Sequence, residues 1–328
     1  MKLSELVNFY NQLCATSTAR AKESTDLELQ KILHVAQDSN LENLRVEILE
    51  SFNRFETEFD QFKRRVHDQI RNEEQPYLQN SYKTYEEFRS YRYEWLKTPH
   101  PSDSVEVQEA NLRMHVEKIL NNRFPITDQI YERILNRITR CSGWQTTTMI
   151  LRPGLESWLQ NMVSNDPIYL VDESYDLLTP AMSQFNELYQ RRLRTYTIRE
   201  DQEQDILWQL PNNQFGVVLA WNYFNHRPFE IIRRYLTELY EKIRPGGILL
   251  MTYNDCDRWP GVLSAETGTA LYTPGSLINS FAESLGFEKT FDYHVDGPWT
   301  WIEFRKPGEW LSYRGGQALA KVLPKPVA

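Results

Sequence analysis

Polar residues standing at the ends of short apolar runs are where this chain could carry chemistry. A run too brief for a core helix reads as a buried strand, and its end reaches the edge of a sheet. Thr146 to Leu151 runs into Arg152-Pro153-Gly154, and Pro167 to Val171 closes on Asp172-Glu173. Leu193 to Ile198 is followed by Glu200, Asp201, Glu203 and Asp205, and Phe215 to Trp221 by Asn222, Tyr223 and His226. Ile248 to Tyr253 leads into Asn254, Asp255 and Asp257, with Trp259 and Tyr272 beyond, where an acceptor pocket would form. A carboxylate such as Asp172 or Asp201 can accept a pair of hydroxyl or amino hydrogens, and each charged hydrogen bond is worth about 1.5–3 kcal/mol; the same carboxylate can instead cap the following turn. His226 is the only histidine that this reading places at the strand ends. It can take a proton from an oxygen or nitrogen near neutral pH, or hydrogen-bond within its own strand-to-helix turn. Gly154 is the only glycine in its turn (RPGLES), so it is the one position there where backbone can approach a ligand without a Cβ.

Other chemistries find no residues to carry them. Cys14, Cys141 and Cys256 are odd in number and far apart, which fits neither a disulfide framework nor a zinc motif. Cys256 lacks the helix-terminus setting of a reactive thiolate and reads as a bystander. No His, Cys and carboxylate cluster has metal-ligand spacing, and neither a Walker-type phosphate loop nor a Gly-x-Ser-x-Gly elbow occurs. A net charge of −8 argues against a phosphate-backbone binder, and so against nucleic acid as partner. The opening MKLSELVNFYNQL is too polar for a signal peptide, and no apolar run approaches the roughly 20 residues needed to span a bilayer. The expectation is a soluble protein of the cytoplasm.

The elements that would position these residues fall into two halves. Residues 1–142 read as a helical N-terminal domain. In it Leu41, Leu44, Ile48, Phe52, Phe55, Phe59, Phe62, Val66 and Ile70 alternate steps of three and four, as a coiled-coil-like seam does. Phenylalanine is bulky for a two-stranded seam, so an antiparallel helical hairpin or bundle is one reading and self-association, or a protein partner, the other. Pro76 is expected to interrupt this helix. The aromatic cluster from Tyr77 to Trp95 reads as the inside of a helical layer, and further helices are expected near Val105 to Asn121 and Thr127 to Arg140. From 143 to 308 strands and helices alternate. A helix from Phe229 to Ile243 ends at Pro245-Gly246-Gly247 ahead of the fifth strand, a long loop spans Cys256 to Thr273, and a hairpin (Glu288 to Val295, Trp299 to Arg305) closes the domain. Residues 309–328 read as a surface arm.

Lys242-Ile243-Arg244-Pro245-Gly246-Gly247, opening onto an apolar strand, resembles the turn before the fifth strand of class I S-adenosylmethionine (SAM) methyltransferases. Phe215-Gly216-Val217-Val218 is similar to that family's fourth strand, and Ser276 to Phe287 (SLINSFAESLGF) to its late helix and terminal Gly-Phe. The resemblance covers about the second half of the chain. It implies a Rossmann-like α/β fold, a seven-stranded sheet with helices on both faces, and SAM as cofactor. It further implies that Gly154 lies beside the methionine part, Asp172 on the ribose hydroxyls, and Asp201 or Asp205 on the adenine amino group. Asn222 is placed with them at the cofactor, while His226 and Tyr253 stand on the acceptor side, with His226 as the base if one is needed. The Asn/Asp-Pro-Pro-aromatic motif of amino-group methyltransferases acting on nucleic acid is absent, since Asn222 is followed by Tyr223-Phe224. The first turn departs from the family's pattern, having one glycine and Leu151 or Arg152 where an acid is usual. That departure favours the alternative, a catalytically inactive methyltransferase-like scaffold or assembly subunit.

Overall fold

The structure, a computed structural model, describes residues 2–16, 22–28, 30–31, 39–97, 128–153, 158–173, 175–201, 204–267, 270–294, 297, 299–314 and 317–321. It divides into two compact units, Met1–Tyr77 and Leu78–Ala328.

In the first unit, helix α1 (Leu3–Ala15) packs on the first part of α2 (Ser39–Lys97). Phe9 meets Phe62 edge to face with ring centres 6.2 Å apart, Tyr10 lies 5.6 Å from His67, and Arg45 Nε donates to Asp26 Oδ1 at 2.8 Å. From Phe9 with Phe62 to Asp26 with Arg45 the numbers rise on one side as they fall on the other, so these contacts follow α2 in the antiparallel sense. Leu3, Leu6 and Val7 on α1, with Val66 and Ile70 on α2, are the buried apolar positions among the described residues of this unit. The long seam is helical throughout, yet Leu44 and Phe55 toward its N-terminal end stay about half exposed. Pro76 does not interrupt α2, which continues through it to Lys97. A proline inside a helix forfeits one N–H bond and crowds the carbonyl four residues earlier, at about 3 kcal/mol; many helical turns on either side absorb that loss. Tyr85 of the aromatic cluster is buried and Tyr82 exposed. The side chains of Phe88, Tyr91, Tyr93 and Trp95, and the helix expected near Val105 to Asn121, lie outside the described residues.

The second unit holds the seven-stranded sheet that the methyltransferase resemblance implies. Strands β1 (Thr148–Leu151), β2 (Ile168–Asp172), β3 (Leu193–Thr197), β4 (Phe215–Ala220) and β5 (Ile243–Asn254) are parallel to their neighbours. Strand β7 (Trp299–Arg305) pairs antiparallel with both β5 and β6 (Glu288–His294), and the order is β3-β2-β1-β4-β5-β7-β6. Alternate side chains enter opposite cores, as the period of two requires. Met149, Tyr169, Val218 and Met251 face one way, against Ile232, Tyr235 and Leu239 of α7 (Phe229–Lys242) and Ile278 of α9 (Gly275–Ser284). Ile150, Leu170, Val217 and Leu250 face the other, against Ile134 and Ile138 of α3 (Asp128–Cys141) and Trp158 of α4 (Trp158–Asn161). With both faces covered, β1, β2, β4 and the part of β5 from Ile248 need no polar alternation, which is why they read as apolar runs, whereas the edge strands β3 and β6 are partly exposed.

Three details differ from the sequence expectation. Pro245-Gly246-Gly247 lies inside the β4–β5 ladder rather than before the strand: Phe215 pairs with Ile243 and Val217 with Ile248, so Arg244 to Gly247 bulge out. Gly247 is required there, because a Cβ would sit 2.7 Å from both Ile243 Cγ2 and the Phe215 carbonyl oxygen. The loop after β5 contains a further helix, α8 (Trp259–Glu266), whose start is marked only by Pro260. The segment after Pro307 forms a two-stranded hairpin, β8 (Trp310–Arg314) with β9 (Gln317–Lys321), and the Gly-Gly pair between those runs was its sequence signal. Between β2 and β3 the chain forms two short helices, α5 (Tyr175–Met182) and α6 (Glu187–Gln190). No helix among the described residues is long and apolar enough to cross a membrane.

Helix α8 is seated by close backbone approach: a Cβ on Gly261 would lie 2.0 Å from the Asp255 carbonyl oxygen. Gly261→Ala is expected to lower stability by about 1–3 kcal/mol, the usual cost of overpacking, read as a lower denaturant midpoint with unchanged slope. An unchanged midpoint would show that α8 is not held against the end of β5.

Candidate active site at the carboxyl edge of the sheet

In an open α/β sheet ligands bind beyond the carboxyl ends of the strands, at the point where strand order reverses. Here that point lies between β1 and β4. The residues gathered there are Arg152 after β1, Asp172 and Glu173 at the end of β2, Glu200 after β3, and Asn222, Tyr223, His226 and Arg227 after β4.

Charges, not apolar walls, dominate this edge. Arg227 is buried; its Nη2 donates to Glu173 Oε1 at 2.6 Å, its Nε to Glu200 Oε1 at 2.6 Å and its Nη1 to the Tyr223 carbonyl at 2.7 Å. The guanidinium also stacks 3.6 Å from the centre of the Tyr223 ring. Glu200 Oε1 further accepts from the Tyr235 hydroxyl at 2.6 Å. Burial alone would lower the Arg227 pKa, but Glu200, Tyr223 and Glu173 more than reverse this, and the group stays charged. Burial lifts the Tyr223 and Tyr235 phenols well above their ordinary range, so both remain protonated hydrogen-bond donors. Beside this cluster Arg152 has φ 51°, a left-handed conformation in which a side chain is costly and a glycine is not. Its Nε lies 3.7 Å from Asp172 Oδ2 and its guanidinium 5.3 Å from the Tyr223 ring centre. Asp172 is fully buried, and its Oδ1 accepts from the Glu173 amide at 2.7 Å.

On the other side of the switch point, Asn222 also has φ 51° and its amide donates to Thr252 Oγ1 at 2.8 Å. His226 ends a 3-10 turn (Phe224–His226), with its ring edge-on to Trp299, centres 6.2 Å apart. Burial first, then the charges of Arg152 and Arg227, bring its pKa from 6.5 down to about 4. His226 is therefore neutral at pH 7 and only weakly basic. Tyr253 is buried in the core, and burial, followed by Asp255 and Asp257, pushes its phenol well up. Asp255 is buried just past β5, accepting from the Asp257 amide at 3.1 Å, the Gly275 amide at 3.2 Å and Thr300 Oγ1 at 3.3 Å. Burial, then the charge of Asp257, raises its carboxyl to about 6.

Of the residues singled out from sequence, Asp172, Asn222 and His226 stand along this edge. Asp201 is exposed, forked onto Arg199 two residues earlier, with Nε to Oδ1 at 2.9 Å. Tyr253 lies within β5 and packs into the core that includes Ile278 and Ile302. Gly154 lies outside the described residues. Sequence reasoning left Glu200 as one of several neighbouring acids and passed over Arg227, seven positions past β4, whose carboxylate partners follow β2 and β3 and leave no local signal. It also passed over His294. That residue reaches the same edge because β7 is antiparallel: Asn254 pairs with Trp299, and His294 with Thr300.

No family model and no curated protein matches the chain. Among solved structures, the N-methyltransferase NodS from Bradyrhizobium japonicum WM9 in complex with S-adenosyl-L-homocysteine is similar at TM-score 0.45 and 12% identity, over 60% of this chain and 100% of that one. A SAM-dependent methyltransferase from Clostridium acetobutylicum ATCC 824 is similar at TM-score 0.45 and 9% identity, over 61% and 99%. The [4+2]-cyclase SpnF is similar at TM-score 0.43 and 14% identity, over 56% and 83%.

Two stability effects of opposite sign meet at this edge. Asp255 holds its proton more tightly folded than unfolded, so its contribution is complete below about pH 4 and is lost as pH rises through about 6. His226 binds its proton less tightly folded than unfolded, so its contribution is complete above about pH 6.5 and is lost as pH falls toward 4. Each contribution is worth about 3 kcal/mol, and between pH 4 and 6 they largely cancel. Asp255→Asn is expected to make stability climb more steeply with pH across that window, and His226→Asn to make it fall, by urea unfolding. Parallel curves for the two variants would rule out the opposed titrations. Glu200→Gln, which leaves Arg227 buried with one carboxylate fewer, is expected to cost about 3–5 kcal/mol. Asp201→Asn, on an exposed pair, is expected to cost under about 1 kcal/mol.

Proposed function

We propose that the second unit is a SAM-dependent methyltransferase, holding the cofactor's nucleoside at the β1–β4 switch point and the methyl acceptor toward the ends of β4 and β5. The observation that carries the reading is the placement of Asp172. A carboxylate ends the second strand of a seven-stranded sheet with a reversed last strand, immediately beside the crossover point where such sheets take ligands. Fold alone would not carry it.

Arg152 is the residue against which the cofactor's fit is tested. Its backbone keeps the left-handed shape of a glycine turn, while its guanidinium occupies the space next to Asp172. That side chain is long and can rotate about its own bonds, so the acid can be exposed to ribose hydroxyls without backbone remodelling. An arginine displaced in this way meets an anion well, and the cofactor carries a carboxylate. In this reading Asp172 accepts the ribose hydroxyls and Gly154 lies along the methionine part. Asp201, whose exposed pairing with Arg199 is cheap to give up, takes the adenine amino group. The bound cofactor supplies a methyl group already activated on a sulfonium. What remains for the chain is alignment, which can supply much of the barrier reduction. Asn222 and the loops after β4 and β5 present the acceptor. His226, between two arginines, suits an acceptor that arrives already deprotonated or neutral.

A second reading rests on the same edge: a methyltransferase-like scaffold in which Arg152 satisfies Asp172 permanently, while Arg227 satisfies Glu173 and Glu200. Titration calorimetry with S-adenosylhomocysteine separates the two. Binding by the wild-type chain, weakened at least about tenfold (about 1.4 kcal/mol) by Asp172→Ala, is the expected result. Heat from Arg152→Gly alone, with none from wild type at millimolar ligand, would establish the scaffold reading. Silence from both would remove the nucleoside site altogether.

A further inference from the structure

We propose that His294, Thr300 and Asp255 form a proton-accepting relay at the acceptor side of this edge, with His294 Nε2 the atom that takes the proton of an acceptor hydroxyl or amine. Its use in catalysis rests on the methyl-transfer reading; the relay itself does not.

The three residues come from separate places, the end of β6, the start of β7 and the loop just past β5, and the antiparallel pairing of β7 brings them together. His294 Nδ1 lies 3.1 Å from Thr300 Oγ1, which lies 3.3 Å from Asp255 Oδ2. The directions of these bonds follow from proton counting. An ionised Asp255 only accepts, so the single hydroxyl proton of Thr300 goes to it. The Thr300 oxygen can then only accept from His294, which places the imidazole proton on Nδ1 and leaves the Nε2 lone pair as the ring's acceptor. When a hydroxyl or amine gives its proton to Nε2, an O–H or N–H bond breaks and an Nε2–H bond forms. The resulting imidazolium keeps its Nδ1–H on Thr300 and, through it, the Asp255 charge.

Location favours His294 over His226. His294 is exposed, whereas His226 is largely enclosed and opposed by Arg152 and Arg227. Trp299, which meets the His226 ring, is the neighbour of Thr300, so both histidines flank one stretch of edge. The charged groups around His294 are Arg258 at the start of α8, Lys289 and Asp292 on its own strand, and Asp255 through Thr300. Burial, then Arg258, lowers its pKa; Asp292 opposes this and Lys289 adds to it. The ring is thus neutral and ready to accept at pH 7, where Asp255, with its carboxyl near 6, is mostly ionised.

Nitrogen-15 ring spectra of the full chain at pH 7.5 test this. The expected result is an Nδ1–H tautomer for His294, the minor form of a free imidazole, switching to Nε2–H in Thr300→Val with a pKa lower by at least about half a unit. Thr300→Ser, which keeps a hydroxyl, is expected to restore the Nδ1–H form, and it guards against a poorly folded valine variant. An Nε2–H tautomer in wild type, or no switch in Thr300→Val while the amide spectrum is native, would overturn the relay. With S-adenosylhomocysteine calorimetry run alongside, an Nδ1–H tautomer without ligand heat would uphold the relay and overturn only the methyl-transfer reading.

Discussion

The second unit depends on one buried cation. Arg227 joins the ends of β2, β3 and β4: it reaches Glu173, Glu200 and the Tyr223 carbonyl, each at 2.6–2.7 Å. Taking three charges out of water is costly, and their attraction repays this only when geometry is close to ideal and spare protons find acceptors. Two tyrosines complete the set, one beneath the guanidinium and one donating to Glu200. The cluster fixes where three strand ends lie relative to one another. It also sets the electrostatics nearby, since Arg227 is one of the two charges that depress His226.

Along this edge acid and base groups are placed with contrasting environments. Asp172 and Glu173 face arginines, whereas Asp255 faces amides, a hydroxyl and a second carboxylate. One end of the edge is organised around paired charge and the other around a shared proton. Such a division suits a site that grips a polar nucleoside at one end and handles a transferable hydrogen at the other. The scaffold alternative uses the same paired charges as permanent cement.

Much of the architecture could be read from sequence, because strands covered on both faces leave continuous apolar runs and α7 displays a clear helical stripe. Asp172 was legible for the same reason, being the first charge after such a run. Arg227 and Glu200 were not, because burial of a charge depends on a counter-ion about 27 positions away that no local pattern announces. Pro76 misled because propensity weighs one residue, while a long helix sums over many turns. Helix α8 was missed because its seating comes from Gly261 touching the Asp255 backbone, a tertiary contact with no periodic signature. His294 needed the orientation of β7, which the order of runs along the chain leaves open.

The reversal of β7 has a consequence for how the unit assembles. Its central pairing partner, β5, is in place once residue 254 has been made, yet β7 follows some 45 positions later and must insert between β5 and β6. Until then β5 presents an unpaired edge with an apolar centre, Ile248 to Met251, of the kind that attracts other chains. A nascent polypeptide stalled before Trp299 would hold five parallel strands and the residues of β6, but would be sticky and lack β7, and with it Thr300. Ordering of the two ends of the site is thereby separated in time during synthesis.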